Sequence, residues 1–280
     1  AIRNASWEVE PSENAIYRSL DLNSINDEEL KNLIDKHDYI FHLAGDTSVS
    51  ALVGYELAYQ LNWLVPLQKI LNFMINTKKV LVFSSSVSVY GSNPSLPITE
   101  DTLESPETSY DLAKLACDNL VRYYRKTHKV ACVSLRFSNI YGSNTSVGKA
   151  SRRALNKMLD IIHKDKAIKI IGDGRYYRNY IHVFDSAAML INAGINIVDT
   201  PPVSIACSPE NMMFKDVINL LTDLYEIGHK EKVNMSFGLE SRFSTDTRNF
   251  FAQPSDCYRG RFQFKYNLRK GLKELIKIDC

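Results

Sequence analysis

The chain has 280 residues, 45% of them hydrophobic, which is enough for one large α/β domain or two intimately joined ones. Its net charge of +2 comes from 34 basic and 32 acidic residues scattered along the chain, so the massed basic segment of a nucleic-acid binder is excluded. No apolar run reaches the ~18 residues of a membrane span. The opening AIRNASWEVE is polar and carries no signal-peptide pattern. Cys117, Cys132, Cys207, Cys257 and Cys280 are odd in number, widely spaced and form no C-x-x-C pair. That usage predicts a reducing, cytoplasmic setting with no disulfide scaffold and no metal site.

In chain order, NAIYRSLDL (residues 14–22) reads as a short strand ending in Asp21. INDEELKNLIDKH follows as a helix, acidic in its first turn and apolar at Leu30, Leu33 and Ile34. DYIFHLAG (residues 38–45) is a near-continuous apolar run ending in glycine, the pattern of a strand buried on both faces. A helical segment runs from about Ala51 to Ile75, with Pro66 marking a kink or restart. KKVLVFSSS is the next buried strand. SYDLAKLACDNLVRYYRKTH is a helix with apolar residues at Leu112, Leu115, Ala116 and Leu120, and VACVSLRF is another strand. This alternation predicts right-handed βαβ units around a parallel sheet. The second half is less regular. ASRRALNKMLDIIHK, HVFDSAAMLINAG, MFKDVINLLTDLY and NLRKGLKELIKI read as helices, AIKII as a strand and GDGR as a turn.

Three serines, Ser84 to Ser86, stand where the strand VLVF ends. Serine is common where strands give way to loops, and a strand end in an open α/β sheet is also where ligands bind. Downstream, Tyr110 and Lys114 are four apart on one helix and share a face. A phenol with a pKa near ~10 is a poor acid–base group at neutral pH. A nearby ammonium favours the phenolate and lowers that pKa. Ser86, Tyr110 and Lys114 thus form a set able to move a proton on a carbinol or carbonyl oxygen.

The order DYIFHLAG, FSSSVSVYG, YDLAK, LRFSNIYG, IGDGRYYRNYIHVFD, spread from about Tyr17 to Ile278, resembles the extended short-chain dehydrogenase/reductases, the NAD-dependent epimerase/dehydratase group acting on nucleotide sugars. The resemblance implies a Rossmann-like, doubly wound parallel sheet with a smaller interleaved C-terminal substrate part. Residues 1–140 with about 180–206 would bind the dinucleotide, and 141–179 with 207–280 the nucleotide-diphosphate sugar. It implies Ser86 as the catalytic hydroxyl, Tyr110 as the general acid/base, and Lys114 as the lysine that tunes it and holds the nicotinamide ribose. Asp21 and Leu22 match the adenine-contacting pair. Leu43, Ala44 and Gly45 match the strand end passing the cofactor diphosphate. Asn62, Ser84, Ser85 and Ser138 match cofactor-side positions, and Asn139 a residue touching the sugar diphosphate. Arg178 matches a diphosphate-binding arginine, whose fork suits paired charge-assisted hydrogen bonds. Arg242 with Asp246 matches a looser arginine–aspartate motif, in which Arg248 competes with Arg242.

The sequence departs from the group's pattern in places. No G-x-x-G-x-x-G turn precedes Asp21, and AIRN looks like the end of the second strand, so a first βα unit of roughly 30–40 residues is expected to be absent. Gly45 stands where alanine is usual and Asn179 where aspartate is usual. Ser86 is followed by Val87 and Ser88 and not by the acidic pair of the dehydratases. That leaves a 4-epimerase or a 4-keto-sugar reductase. The stretch SFGLESRFSTDTRNFFAQPS leans toward the reductase, with a non-catalytic sugar-nucleotide-binding fragment as a further alternative. Arg3 and Asn4, in the region reading the adenine ribose, lean toward NADP over NAD. The resemblance also implies a homodimer, built on the Tyr110 helix and the segment 51–75.

Overall fold

The computed structural model describes residues 16, 18, 20–45, 63–142, 154–240 and 247–278. The chain divides into two compact units that interleave in sequence. The first comprises Ala1–Val89, Glu104–Arg136 and Leu190–Ser204, and the second Tyr90–Leu103, Phe137–Met189 and Ile205–Cys280.

In the first unit, Asp21 opens a turn. Its carbonyl accepts from the amides of Ser24 (3.1 Å) and Ile25 (2.9 Å), and its carboxylate from that of Asn23 (3.0 Å). These local bonds compete with strand pairing, so the described end of the expected strand at 14–22 is a turn; the rest of that stretch lies largely outside the described residues. Helix α1 (Asp27–Asp35) starts at Asn26, whose side chain accepts from the Glu29 amide at 2.8 Å, and carries three acidic residues in its first turn. Both features satisfy the positive helix start.

Strand β1 (Tyr39–His42) pairs in parallel with β2 (Val80–Ser86), Tyr39 opposite Val80 and His42 opposite Phe83. The sheet continues with β3 (Ala131–Phe137) and β7 (Val203–Ala206) in the order β1-β2-β3-β7. Here the structure corrects the reading of 38–45. Among the described residues β1 is the edge strand, with Tyr39, Phe41 and, just past its end, Leu43 between 40% and 51% exposed and only His42 of the strand fully buried. β2, inside the sheet, buries Val80 to Phe83. Helix α2 (Val65–Phe73) has Pro66 in its first turn, where a missing N–H has no partner to lose. Helical geometry continues just upstream, where Trp63 and Leu64 form a π-helical turn, so the proline follows a local irregularity in the helix; the rest of the expected upstream half lies outside the described residues.

Helix α3 (Ser109–Thr127) opens with a capping box. The Asp111 amide donates to Thr108 Oγ1 at 3.1 Å and the Thr108 amide to Asp111 Oδ2 at 3.1 Å. Ala113, Lys114, Cys117, Asp118, Val121 and Tyr124 recur at helical spacing on its buried face. That face joins Trp63, Leu67, Leu71, Leu81, Phe83 and Cys132 in one core. Alternating strand and helix around a parallel sheet makes this a Rossmann-like α/β fold.

In the second unit, β4 (Asn139–Tyr141) pairs in parallel with β6 (Tyr177–His182), which pairs antiparallel with β8 (Asn211–Met213). Strand β5 (Ala167–Ile171) pairs in parallel with β9 (Asn234–Leu239). Helices α4 (Ala154–Asp165), α5 (Val183–Ile195), α6 (Phe214–His229) and α7 (Leu268–Ile276) complete the elements. Tyr141, Leu155, Leu159, Val217, Leu221, Tyr225 and Leu272 lie in a second core. Among the described residues no His, Cys, Asp or Glu group could hold a metal ion, and no helix is long and apolar enough to cross a membrane.

Candidate functional site

The capping box fixes the first turn of α3, so Tyr110 stands one turn ahead of Lys114. Lys114 is 2% exposed, and its Nζ donates to the Ser84 carbonyl at the end of β2 at 2.6 Å. The ammonium also lies 3.2 Å from the centre of the Trp63 ring, 4.7 Å from Phe83 and 5.7 Å from Tyr110. A charge without water is costly, and the carbonyl and ring faces offset only part of that cost. Burial therefore pulls the Lys114 pKa down to about 7, against the opposing influence of Cys117 and Asp118. Nearby His42, 3% exposed, is pushed down to about 3 by burial and then by the Lys114 charge. Ser86 is half-buried and its Oγ accepts from the Ser88 amide at 3.1 Å. The buried Ser85 Oγ has no partner among the described residues. A phenol, a buried lysine pulled toward neutrality and strand-end hydroxyls are the kinds of group that a proton transfer needs.

At the end of β1, Leu22, Leu43 and Ala44 line a single, largely apolar cavity of about 330 Å³ with Leu30, Ile34 and Ile40. Asp21 adjoins it in sequence. Gly45 has φ +151°, a conformation that favours a residue without a side chain. These residues fit a dinucleotide in kind: an apolar slot for a flat base, backbone for close approach to phosphate, and a lysine and hydroxyls for a ribose. Asn62, Arg3 and Asn4 lie outside the described residues.

In the second unit, Asn179 organises the neighbourhood of the expected sugar-diphosphate residues. It is fully buried, and its amide nitrogen donates to the carbonyls of Ser208 (2.8 Å) and Glu210 (3.0 Å) and to Asn211 Oδ1 (3.0 Å). Its Oδ1 accepts from Ser138 Oγ at 2.7 Å and the Ser208 amide at 3.0 Å. The Asn139 side chain donates to the Asn179 carbonyl at 3.1 Å. In place of the usual aspartate, an asparagine at 179 is expected to weaken the local electrostatics while keeping a polar side chain. The structure instead uses its amide as a donor to three acceptors, which a carboxylate cannot be.

The Arg178 guanidinium lies 4.5 Å from the Tyr176 ring centre and 5.4 Å from that of Phe250. The chain at 249–250 returns to the same strand, Asn249 Oδ1 accepting from the Tyr177 amide at 2.8 Å and the Phe250 amide donating to the Tyr177 carbonyl at 3.0 Å. Arg248 directly precedes this join; it is 4% exposed, with its Nε donating to Ser92 Oγ at 3.3 Å. Arg178 and Arg248 thus approach through adjoining backbone, whereas Arg242 and Asp246 lie outside the described residues.

Two features near the proton-transfer set escaped sequence reasoning. One is Trp63. The other is a buried ion network beneath α3. Arg136 Nε donates to Asp118 Oδ2 at 2.8 Å, Arg136 also pairs with Glu104, and Arg122 reaches Glu104 at 2.7 Å. Burial works against the Glu104 charge, yet the hydrogen bonds from Arg122 and Arg136 hold its carboxyl below the ordinary range. Asp118 stands four residues beyond Lys114, a spacing that is legible as a shared face, but its partner on β3 is not.

A family model described as the NAD dependent epimerase/dehydratase family matches residues 3–201. The chain belongs to that family. Its relatives include an uncharacterized UDP-glucose epimerase of Bacillus subtilis, 29% identical over 159 residues that cover 56% of this chain and 49% of the relative. A UDP-glucose 4-epimerase of Dictyostelium discoideum is 28% identical over 235 residues, 79% of this chain and 67% of that one. The chain thus spans about half the length of the first of these family members and two thirds of the second. Among solved folds, a UDP-N-acetylglucosamine 4-epimerase from Methanobrevibacter ruminantium in complex with UDP-N-acetylmuramic acid superposes with a TM-score of 0.77 at 22% identity, covering 92% of this chain and 80% of that one.

Proposed function

We propose that this family member acts at C4 of a nucleotide-diphosphate sugar, in the sense of a 4-epimerase, through Ser86, Tyr110 and Lys114. The observation that carries the proposal is the buried Lys114 ammonium, one turn from Tyr110 and hydrogen-bonded to the end of a parallel strand. The epimerase sense is favoured over the reductase lean because the named relatives are epimerases.

A bound NAD or NADP would supply hydride transfer. Asp21 and Leu22 would take its adenine side, Leu43, Ala44 and Gly45 would pass its diphosphate, and Ser84, Ser85 and Lys114 would lie toward its ribose. Tyr110 takes and returns the proton of the 4-hydroxyl. Lys114, when charged, stabilises the phenolate. Ser86 hydrogen-bonds the same oxygen. Ser138, Asn139, Arg178 and Arg248 would hold the sugar diphosphate, two arginine forks matching two phosphates. A homodimer through α3 and the segment 51–75 is part of the proposal, supported by Leu112 and Tyr123 of α3, 55% and 52% exposed. A monomer in light scattering would count against it.

The test follows UDP-sugars by NMR with NAD or NADP present. Conversion to the C4 epimer without net cofactor consumption is expected, whereas stoichiometric consumption would make the protein a reductase. Tyr110→Phe should cut turnover about 10²–10⁴-fold while leaving UDP-sugar binding intact. Near-parental turnover in Tyr110→Phe would remove the proton-transfer role.

A further inference from the structure

The Trp63 indole sits on the groups that a dinucleotide would use. The ring face covers Lys114 Nζ at 3.2 Å, and the indole is only 1% exposed. Its edges meet Phe83 and Tyr110, with ring centres 6.1 and 6.3 Å away. It also fills the space above Gly45, where an added Cβ would collide with Cη2, Cζ2 and Cε2 of the ring. The glycine at 45 is thus what lets the indole in. Two bodies cannot share that space, so an indole on Gly45 and Lys114 excludes a ribose and phosphate from the same two residues.

The covered arrangement is held together and also strained. Ring burial and the desolvated cation–π contact favour it. Against it stand the buried charge and the Trp63 Nε1–H, which is buried with no acceptor among the described residues. Trp63 and Leu64 form a π-helical turn that leads into α2, an irregular stretch of backbone at the residue that carries the indole.

We propose that Trp63 is a displaceable cover over Gly45 and Lys114, an internal competitor that must leave before a dinucleotide can seat at this strand end. The inference rests on the reading of that strand end as a dinucleotide site. It makes the apparent affinity equal to the intrinsic affinity multiplied by the uncovered fraction. It also returns Lys114 to a more polar setting, so binding above neutral pH should draw a proton onto the lysine.

The chain has two tryptophans, so Trp7→Phe leaves Trp63 as the sole reporter. The full chain carrying Trp7→Phe is titrated with oxidised NAD under selective tryptophan excitation, while equilibrium dialysis measures binding independently. A red shift and increased acrylamide quenching that follow the dialysis isotherm are expected. With the uncovered form at about 0.1–10%, Trp63→Leu should bind NAD roughly 10- to 1,000-fold more tightly. Gly45→Ala keeps the indole but crowds it, and should red-shift the emission with no NAD present. NAD binding with unmoved emission, no tightening in Trp63→Leu and no shift in Gly45→Ala would overturn the cover alone. Dialysis showing no binding of NAD or NADP to either the parent or Trp63→Leu would overturn the dinucleotide reading and the cover with it.

Discussion

Replacing Lys114 by methionine removes a buried titrating group while roughly keeping its volume. In the folded chain burial lowers the Lys114 pKa to about 7, from 10.5 for a lysine in water. Between those values the unfolded chain holds a proton that the folded chain has released, so stability rises with pH across this window. From about pH 7 to about pH 8.5 the linkage integral gives a gain of about 1.6 kcal/mol. His42, with its folded pKa pushed down to about 3, contributes stability that also rises with pH but is nearly complete by 6.5, the pKa of an imidazole in water. The buried Cys117 thiol, raised to about 12, contributes in the opposite direction above 9.0, the pKa of a thiol in water. The chosen window lies between these two. Methionine leaves the Ser84 carbonyl without its donor, a cost that does not vary with pH and cancels in the comparison. Urea unfolding of both proteins at both pH values therefore isolates the lysine. The parent should gain about 1.6 kcal/mol more than Lys114→Met. Equal pH dependence in the two proteins would refute the buried, water-excluded lysine and with it the tuned proton-transfer set.

Asn179→Asp should destabilise the second unit by several kcal/mol near neutral pH, because a carboxylate would face the Ser208 and Glu210 carbonyls and Asn211 Oδ1 without a hydrogen to give. The loss should shrink in acid, since a protonated carboxyl can donate again; thermal melts against pH read both. Removing one partner of the Arg136–Asp118 pair, as in Arg136→Met, should cost about 3–5 kcal/mol in urea unfolding, and adding Asp118→Asn should cost less than the sum of the single changes.

Much of the first unit was legible because its signals are local. Thr108 and Asp111 announce the start of α3, and the apolar run Val80–Phe83 announces a strand buried inside a sheet. The exposure of Tyr39 and Phe41 does not follow from their apolar run, which does not say whether its strand lies inside the sheet or at its edge; the expected absence of the Gly-rich βα unit was the signal for an exposed apolar sheet edge. Strands β6, β8 and β9 escaped because they are short, or carry Arg178 and Asn179 mid-strand, and are held by distant partners rather than by their own alternation. In the site, Tyr110 and Lys114 stood out by their helical spacing. Trp63 did not, since its meaning depends on Gly45 and Lys114 converging on it in space. Asn179 looked like a weakened aspartate until its three acceptors were in view.

The central claim, reversible hydride and proton transfer at C4, is tested most directly by isotope. A UDP-hexose carrying deuterium at C4 is incubated with the full chain and catalytic NAD, and its C4 epimer is examined by NMR and mass spectrometry. Retention of the deuterium at C4 of the epimer is expected, because a hydride taken from that carbon returns to it, while Tyr110 exchanges only the hydroxyl proton. Exchange of the C4 deuterium with solvent, or no epimer from any UDP-hexose that binds, would contradict it.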